Sequence, residues 1–352
     1  MTLPLPFSRA AAPVRVGIIG CGMVAAEYAA TLALSSEVEL HACADTDTNR
    51  AEEFARQRGI RALSVEDLLD PASTDLVVLL TPPATHAALA HDALTADVPA
   101  VWTEKPLALH PEEADDLLEA AGRADALLAA APDTPLGPAL LTAADALQRG
   151  LIGTLRSATA TLISTGPERW HPAPEPFYSA GAGPLGDMGP YYLAALDQLL
   201  GPLHVIAATA HTRPVRRIRT GPRTGTTFTA DAPTYIAALL ETDDKTPVTL
   251  TASFDAAATR APHIELHGTD ATLVLPDPNF HHGDVLHRAY GSSTWNTLRT
   301  IDSPIPVGRG MGVLDLATAL RNTRPPRCPP QRAARIAHLA DAILRGTDDH
   351  RP

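Results

Sequence analysis

Cysteine and long apolar runs are scarce in this sequence of 352 residues. The three cysteines, Cys21, Cys43 and Cys328, lie far apart and form no Cys-x-x-Cys pair, which favours a reduced, cytoplasmic setting. No segment is long and apolar enough to cross a bilayer, and residues 1–13 lack the sustained apolar run of a signal peptide. We therefore expect a cytoplasmic protein that does not bind a membrane.

Positive charge is also in deficit, because 28 lysines and arginines are outnumbered by 40 aspartates and glutamates. The formal net charge of -12 would repel nucleic acid and anionic membranes, so neither is expected as a partner. A local basic stretch runs from Arg213 to Arg223, but no aromatic residues interleave with it for base stacking. We interpret this stretch as a solvated loop.

Length and apolar periodicity predict two domains. At 352 residues the chain exceeds the usual size of one hydrophobic core. In residues 14–132 short apolar segments alternate with amphipathic ones, which is typical of a parallel sheet covered on both faces by helices. Capping residues predict helix starts at Asn49, Ser64 and Pro111. We predict strands at residues 14–19, 38–44, 75–80, 100–103 and 126–131.

Beyond about residue 150 the pattern changes, because strand-like segments follow one another with turns rather than helices between them. The fold class is therefore α/β, with a doubly wound domain at residues 14–132 and an α+β domain at residues 133–346. The second domain would carry a large, mostly antiparallel open sheet, which favours a homodimer or homotetramer. We predict its strands at residues 155–163, 205–210, 235–240, 248–254 and 271–275, and its helices at 185–200, 311–322 and 331–344.

A glycine-rich turn, Gly20-Cys21-Gly22-Met23-Val24-Ala25, follows the first predicted strand. Gly20 would permit the tight turn, and Gly22 would let the backbone approach a dinucleotide pyrophosphate at the start of the helix. Asp45 ends the second strand, at the spacing where a carboxylate binds the adenosine ribose hydroxyls. This carboxylate would repel a 2′-phosphate, so we expect NAD, although nearby Arg50 leaves NADP open.

Two short motifs, Thr81-Pro82-Pro83 and Glu104-Lys105-Pro106, follow later strands of the same domain. Both lie at carboxyl ends of parallel strands, where open α/β sheets bind their ligands. The Lys105 ammonium could donate to a substrate oxygen beside the nicotinamide and take part in proton transfer. The alternative is a surface lysine at a strand end. We expect cofactor contacts from Gly20, Gly22, Met23, Val24, Asp45, Thr81, Pro82, His86, Glu104 and Lys105.

A second glycine-rich segment, residues 181–192, opens the long predicted helix of the second domain. Asp187 and Tyr191 are four residues apart, which would place both side chains on one face of that helix. A carboxylate and a phenol in this arrangement could converge on Lys105 and exchange protons with a substrate hydroxyl. The alternative makes Asp187 a helix cap and Tyr191 a half-buried packing residue.

These motifs, in this order, resemble the glucose-fructose oxidoreductase, inositol dehydrogenase and MocA family of nicotinamide-dependent enzymes. The resemblance extends from Val14 to about Gly346. It implies an N-terminal Rossmann domain, a C-terminal domain with an open sheet often used for oligomerisation, and Lys105 as the central catalytic group. It rests on Gly20-x-Gly22-x-x-Ala25, Glu104-Lys105-Pro106 and Gly181-x-Gly183-x-x-x-Asp187-x-Gly189.

The sequence departs from this family at one position, because a histidine usually stands where Tyr191 is found. Tyrosine is known there in members similar to glucose-fructose oxidoreductase and dihydrodiol dehydrogenase. A phenol with a pKa of about 10 is a better acid than base at neutral pH unless Lys105 lowers that pKa. We assign proton relay to Tyr191, with Tyr192 and His171 as rival candidates.

Further polar and aromatic residues are candidates for substrate contacts. Trp170 could stack on a sugar ring and His171 could bind a hydroxyl, although a solvent-exposed turn explains this segment equally well. Asp133 and Thr134, after the last strand of the first domain, could also contact substrate. The expected substrate contacts are Lys105, Trp170, His171, Asp187, Tyr191 and Arg309.

No metal site is expected from the histidines. His263 and His267 lie four apart in a strand-like stretch, which separates them by about 13 Å at a rise of roughly 3.3 Å per residue. His281, His282 and Asp284 form a turn-like cluster without additional clear ligands.

Together these patterns predict an NAD(P)-dependent dehydrogenase that moves hydride to or from a secondary alcohol carbon of a sugar, cyclitol or related polyol. Lys105 would polarise the oxygen, Asp187 would position Lys105 or the substrate, and Tyr191 would transfer the proton. Two alternatives stay open. One is a family member that recycles tightly bound NAD within each turnover, as an epimerase, lyase or glycosidase. The other is a regulator that senses NAD, against which the intact Glu104-Lys105-Pro106 motif weighs.

Overall fold

Six parallel strands form the N-terminal sheet of the structure, a computed structural model that describes residues 12–346. The prediction that residues 1–13 contain no signal peptide falls almost wholly outside the described residues. The sheet consists of β1 (Val14–Ile19), β2 (Val38–Ala44), β3 (Arg61–Ala62), β4 (Leu76–Leu79), β5 (Ala100–Thr103) and β6 (Leu127–Ala130). It is flanked by α1 (Met23–Leu32), α2 (Thr48–Arg58), α3 (Val65–Leu68), α4 (His86–Thr95) and α5 (Pro111–Ala124).

The strand order of this sheet is β3-β2-β1-β4-β5-β6, and every neighbouring pair is parallel. Every residue of β4 and β5 is buried, because helices cover both faces of the sheet. The order reverses between β1 and β4. An open α/β sheet binds its ligands at this point, beyond the carboxyl ends of the strands.

Most helix starts agree with the capping residues, and one does not. Ser64 caps α3 by accepting a hydrogen bond from the Asp67 backbone N–H, and α5 begins at Pro111, as predicted. The predicted start at Asn49 is wrong: α2 begins at Thr48, and Asp47 is its cap. The Asp47 carboxylate accepts from the Arg50 N–H, which satisfies a free donor of the first turn.

Eight strands form the second sheet, in the order β16-β15-β14-β13-β7-β12-β11-β8. All neighbours are antiparallel except β7 and β12, which run parallel, so the prediction of a mostly antiparallel sheet is confirmed. The strands are β7 (Leu155–Ile163), β8 (Leu203–His211), β11 (Tyr235–Thr242), β12 (Pro247–Ser253), β13 (Ile264–Gly268), β14 (Ala271–Leu275), β15 (Leu286–Ala289) and β16 (Asn296–Thr297). A separate antiparallel pair was not predicted: β9 (Val215–Arg217) lies within the basic stretch, and β10 (Thr227–Thr229) follows it.

Alternation along the strands gives the second sheet one buried and one open face. In β12, Val248 and Leu250 are buried in the core, whereas Thr249 between them is exposed. In β11 the same alternation buries Leu240 and exposes Leu239. The buried face packs against α6 (Pro138–Gln148), α8 (Gly189–Leu200) and α10 (Pro330–Gly346).

The last two helices return to the first sheet. In α9 (Met311–Arg321), Val313 and Leu316 pack into the core beneath β1 and β5. In α10, Ile343 belongs to the core of the second sheet, while Ala334 belongs to a core of the first. The C-terminal helices therefore bridge both layers, and the domain boundary at residues 132 and 133 stays a prediction.

The helix predicted at residues 185–200 is two helices. A short helix, α7 (Gly183–Asp187), ends before Met188, and α8 begins at Gly189. Pro190 has no N–H to donate to the preceding turn, so the hydrogen-bond ladder cannot continue through it. This break separates Asp187 from Tyr191, which the sequence placed on one continuous helix.

Candidate active site

The glycine-rich turn joins β1 to α1 at the carboxyl edge of the first sheet. Gly20 has a φ of +100°, a conformation that side-chain-bearing residues rarely adopt. A Cβ at this position would lie 2.7 Å from the backbone carbon of Leu80, at the end of β4. Only glycine fits, which is the tight approach predicted from the sequence.

The second glycine of the turn faces open space. A Cβ at Gly22 would meet no atom within 4 Å, and the side chain of Met23 beside it is 74% exposed. No side chain caps the start of α1, so its first N–H groups are free to bind an anion. The residues present therefore fit the pyrophosphate of a dinucleotide, and its contacts with Gly22, Met23 and Val24 stay a prediction.

Asp45 is more deeply placed than its predicted role suggests. One of its oxygens accepts from the Cys21 N–H at 2.8 Å, and the other accepts from the Asp47 N–H at 2.8 Å. Burial alone would raise the pKa of Asp45, but the Asp47 and Cys21 N–H groups and the Arg50 guanidinium lower it overall. An ionised carboxylate thus holds the phosphate turn to the end of β2, and Arg50 lies 3.4 Å from it.

The two later motifs are joined by a buried histidine. The ring nitrogens of His86 contact the Thr81 carbonyl at 2.8 Å and the Pro106 carbonyl at 2.7 Å. Thr81 also accepts a hydrogen bond from Thr85 at 2.7 Å through its hydroxyl. His86 is fully buried, so the structure places it beneath the expected cofactor surface, where it braces both loops.

Glu104 is likewise occupied inside the protein. Its carboxylate accepts from the Tyr28 hydroxyl at 2.7 Å and from the Lys105 backbone N–H at 2.9 Å. Tyr28 in turn accepts from the Trp102 indole N–H at 3.1 Å. This chain fixes the backbone of Lys105 relative to α1. Sequence reasoning missed Tyr28 and Trp102, and only the scarcity of aromatic residues could have drawn attention to them.

Lys105 and Asp187 meet across the two layers. The ammonium of Lys105 donates to the Asp187 carboxylate at 2.9 Å and to its backbone carbonyl at 2.6 Å. The two side chains are 17% and 19% exposed, so the pair is shielded but reachable from solvent. The ammonium nitrogen also lies 5.4 Å from the centre of the Tyr191 ring. The structure therefore brings the three predicted catalytic residues together, despite the break at Met188.

Arg309 covers the other side of the same tyrosine. Its guanidinium carbon lies 4.8 Å from the centre of the Tyr191 ring, and one guanidinium nitrogen donates to Asn279 at 2.5 Å. Tyr191 thus lies between two cations. Burial, followed by the nearby Glu104 carboxylate, raises the pKa of the Tyr191 phenol above its usual value, and Arg309 opposes this only in part.

The rival relay candidates lie elsewhere. Tyr192 is directed into the core of the second sheet, where its hydroxyl contacts the ring of His263 at 2.6 Å. Trp170 and His171 pack against each other and against Phe177 on an exposed loop. The contacts of these residues do not include Lys105, Asp187 or Tyr191.

Asp133 is a supporting residue rather than a surface group. It is 1% exposed and contacts His281 at 2.9 Å through one oxygen. The other oxygen accepts from the backbone N–H groups of Gly310 and Gly312 at the start of α9. The expectation that Asp133 contacts substrate is therefore wrong, because both oxygens bind protein groups. Thr134 is fully buried as well, but its hydroxyl has no hydrogen-bond partner among the described residues, so its contact with substrate stays a prediction.

Within residues 12–346, no group of three or more histidine, cysteine, aspartate or glutamate side chains could hold a metal ion. None of the helices in that range has the length and apolar character of a membrane span.

Two family models match this chain. The first, described as an oxidoreductase family with an NAD-binding Rossmann fold, matches residues 14–131. The second, described as the GFO/IDH/MocA C-terminal domain, matches residues 140–274. Together they cover most of both sheets.

Individual curated relatives share about 30% of their residues with this chain over the matched segments. Trans-1,2-dihydrobenzene-1,2-diol dehydrogenase of Mus musculus is 30% identical over 192 residues, covering 53% of this chain and 56% of the relative. A dTDP-3,4-didehydro-2,6-dideoxy-alpha-D-glucose 3-reductase of Streptomyces antibioticus is 29% identical over 286 residues, covering 76% and 85%. The chain spans about half the length of several of the curated relatives it matches.

A solved structure extends the likeness over the whole fold. The 3-ketoreductase of Actinomadura kijaniata, crystallised with NADP and TDP-benzene, superposes with a TM-score of 0.76 at 25% identity. The superposition covers 95% of this chain and 98% of that enzyme.

Proposed function

The chain belongs to the glucose-fructose oxidoreductase, inositol dehydrogenase and MocA family, and on this premise we propose that it is an NAD(P)-dependent oxidoreductase. Its substrate would be a sugar, cyclitol or related polyol. Hydride would be transferred to or from a secondary alcohol or ketone carbon of that substrate. The single observation that carries this proposal is the contact of Lys105 with Asp187 beside Tyr191, at the carboxyl edge of the dinucleotide-binding sheet.

The bound nicotinamide would supply hydride transfer, and the protein residues would control the oxygen and its proton. The Lys105 ammonium donates two of its three N–H groups to Asp187, and the third could bind the reacting oxygen. Asp187 fixes the direction of that ammonium. The Tyr191 phenol, with its raised pKa, is protonated at neutral pH and is suited to donate a proton in the reducing direction.

Relatives support the substrate class. Their names include a reductase of a dTDP-linked sugar and dehydrogenases of the cyclitol inositol. Arg309, above the Tyr191 ring, would add a polar contact for such a substrate. Trp170 and His171 would contribute only if their loop moved toward Lys105, so we rank them below Arg309.

We propose NAD as the preferred cofactor because the Asp45 carboxylate ends β2 and is ionised. Arg50, beside that carboxylate, keeps NADP as the alternative. A relative solved with NADP supports the dinucleotide site without deciding between the two cofactors.

Replacing Lys105 tests the reaction. With a panel of polyols and either NAD or NADP, Lys105→Met should lower turnover by about 10²- to 10³-fold, because the group that polarises the reacting oxygen is lost. The absorbance of the reduced nicotinamide measures turnover. Fluorescence titration with each cofactor should show that the variant still binds dinucleotide, with NAD preferred.

The chain offers a matched control, because Lys245 is its only other lysine and lies in an exposed turn. Lys245→Met should leave turnover unchanged. Equal activity in Lys105→Met and wild type would contradict the proposal. So would turnover without added cofactor by protein purified with bound NAD, which would favour internal redox.

We also propose a cytoplasmic location and a homodimer or homotetramer. The three cysteines are free and buried, as expected in a reducing compartment. The open face of the second sheet exposes Leu239 and Tyr235 on β11, which supports self-association.

A further inference from the structure

A large cavity lies at the carboxyl ends of β7 and β12, outside the groups assigned to the reaction. Its volume is about 740 Å³, and the pair of strands β9 and β10 forms part of its wall. Pockets of this size hold small organic ligands. Five arginines line it: Arg169, Arg213, Arg216, Arg217 and Arg219.

The charge of this cavity is opposite to that of the protein. Only two carboxylates line it, Glu168 and Asp255, which leaves an excess of three positive charges on a chain of net charge -12. A concave wall of one sign concentrates the field and attracts ions of the opposite sign. The basic stretch is therefore not the solvated loop that the sequence indicated.

Both carboxylates are already committed to one buried arginine. The Arg216 side chain is 9% exposed and donates to Glu168 at 2.5 Å, to Asp255, and to the Phe254 carbonyl at 2.9 Å. In the described part of the chain its Nε remains a buried donor without a partner. The cavity floor is thus a rigid guanidinium whose hydrogen-bonding capacity is not exhausted.

Arg213 pairs with Asp255, and the other three arginines are uncompensated. Arg169, Arg217 and Arg219 are exposed, and no carboxylate among residues 12–346 pairs with them. The Arg217 side chain donates to the Gly225 carbonyl, and the backbone N–H of Arg219 donates to the Glu168 carbonyl. Neighbouring like charges on a shaped wall repel one another unless an anion binds between them.

We propose that this cavity binds a ligand bearing a phosphate or diphosphate group. Guanidinium groups match phosphate oxygens through paired N–H donors, and several of them favour a polyvalent anion over a single carboxylate. The volume leaves room for more than the phosphate alone. The inference goes beyond the proposed reaction, since it requires no chemistry at Lys105.

The cavity is structurally connected to the active site. Tyr178 hydrogen-bonds Arg216 through its hydroxyl, and its backbone carbonyl accepts from Ala232. The neighbouring Pro233 packs against Gly183, which begins the helix that ends at Asp187. The phosphate could therefore belong to the substrate itself or to a separate small molecule.

Calorimetric titration with inorganic pyrophosphate tests the site, using protein saturated with NAD so that the dinucleotide turn is blocked. Wild type should bind pyrophosphate saturably. The double variant Arg217→Gln/Arg219→Gln should bind at least about tenfold more weakly, a loss of about 1.4 kcal/mol. Both side chains are exposed, so the variant should fold and retain NAD affinity.

The matched control is Arg123→Gln/Arg149→Gln, which removes the same charge from exposed positions on α5 and after α6. It should bind pyrophosphate like wild type. Absence of saturable binding in wild type, or equal loss in both double variants, would overturn the proposal. Neither result depends on turnover, so failure of this proposal can be distinguished from failure of the proposed oxidoreductase function.

A second titration identifies the source of the phosphate. If it belongs to a nucleotide-linked sugar, UDP-glucose should displace pyrophosphate, and the Arg217/Arg219 variant should weaken both. If it belongs to a separate anion, pyrophosphate should bind equally well with UDP-glucose present. Both results support phosphate recognition by these arginines.

Discussion

At the scale of single residues, Tyr191 is the most informative side chain. It lies between the Lys105 ammonium and the Arg309 guanidinium, with ring distances of 5.4 Å and 4.8 Å. Two cations would ordinarily favour the phenolate. Burial and neighbouring carboxylates nevertheless raise the pKa of Tyr191, so desolvation is the larger effect. The Tyr191 phenol is therefore protonated at neutral pH and can act as an acid. It would act as a base only at high pH, where it loses its proton.

Phenylalanine at this position separates catalysis from packing. Tyr191→Phe should lower turnover in the reducing direction by about 10²-fold or more, because the proton donor is lost while the ring remains between its cations. Tyr192→Phe is the control, since its hydroxyl contacts His263 in the core. It should cost about 1 kcal/mol of unfolding free energy and leave turnover unchanged. Steady-state kinetics and denaturant unfolding measure both, and unchanged turnover in Tyr191→Phe would remove it from the mechanism.

At the scale of elements, the β1–α1 turn uses its two glycines for different purposes. Gly20 is required by its positive φ and by the closeness of Leu80, so it serves the fold. Gly22 has ordinary backbone geometry and open space beside it, so it serves the ligand. The sequence motif is the same for both, and only the surrounding backbone distinguishes them.

Alanine substitutions should separate these two roles. Gly20→Ala should lower the unfolding free energy by about 1–3 kcal/mol because of backbone strain. Gly22→Ala should leave stability unchanged but weaken dinucleotide binding by about tenfold or more, since its Cβ would occupy the space above the turn. Thermal unfolding and fluorescence titration distinguish the outcomes. Wild-type cofactor affinity in Gly22→Ala would contradict the placement of the pyrophosphate.

The start of α9 depends on a single carboxylate, Asp133, from the segment that follows β6. Burial would raise the pKa of Asp133, but its hydrogen bond to His281 and the nearby charges lower it overall. A carboxyl group whose pKa is lower in the folded state stabilises the protein above the unfolded pKa of about 3.9. That stability is lost as pH falls through the lower, folded pKa.

Asp133→Asn should therefore destabilise the protein by about 1–3 kcal/mol at neutral pH. The difference in unfolding free energy between the variant and wild type should shrink as pH falls below about 4. The Asp133 carboxylate is protonated there first in the unfolded protein and then, at lower pH, in the folded protein. Urea unfolding at a series of pH values measures this. A difference that stays constant down to acid pH would show that the charge of Asp133 contributes nothing.

At the scale of the whole molecule, the open face of the second sheet is the surface expected to be covered. Leu239 on β11 and Ile206 on β8 are 41% and 53% exposed, and they lie on adjacent strands. Exposed apolar groups on a broad sheet are typical of association surfaces. Self-association through this face would also leave Lys105 and the arginine-lined cavity accessible to their ligands.

A charge on this face tests the expected oligomer. Leu239→Glu should shift the protein from dimer or tetramer toward monomer in light scattering coupled to size-exclusion chromatography. Leu34→Glu, at an exposed position after α1, is the matched control and should leave the mass unchanged. A wild-type protein that is already monomeric would contradict the expectation.

Local patterns were enough for five of the six strands of the first sheet and for the identity of its motifs, whereas the two-residue β3 was not predicted. Apolar strand periodicity, the Gly20 turn and the capping of α3 and α5 depend on neighbouring residues, so the sequence predicted them closely. The break at Met188 was missed, although Gly189 and Pro190 interrupt the helical pattern there. β9 was missed because arginine gives little strand signal, and β10 was missed because it is only three residues long.

The choice of which residues act together depended on contacts that no local pattern encodes. Lys105 and Asp187 are 82 positions apart, and Asp133 and His281 are 148 apart. Their pairing arises when two sheets and the returning C-terminal helices pack against one another. Burial then assigns each polar group its role: Glu104, His86 and Asp133 become internal supports, whereas Lys105 stays reachable. Residue types and spacing revealed the chemistry available to this chain, and packing selected which groups face a ligand.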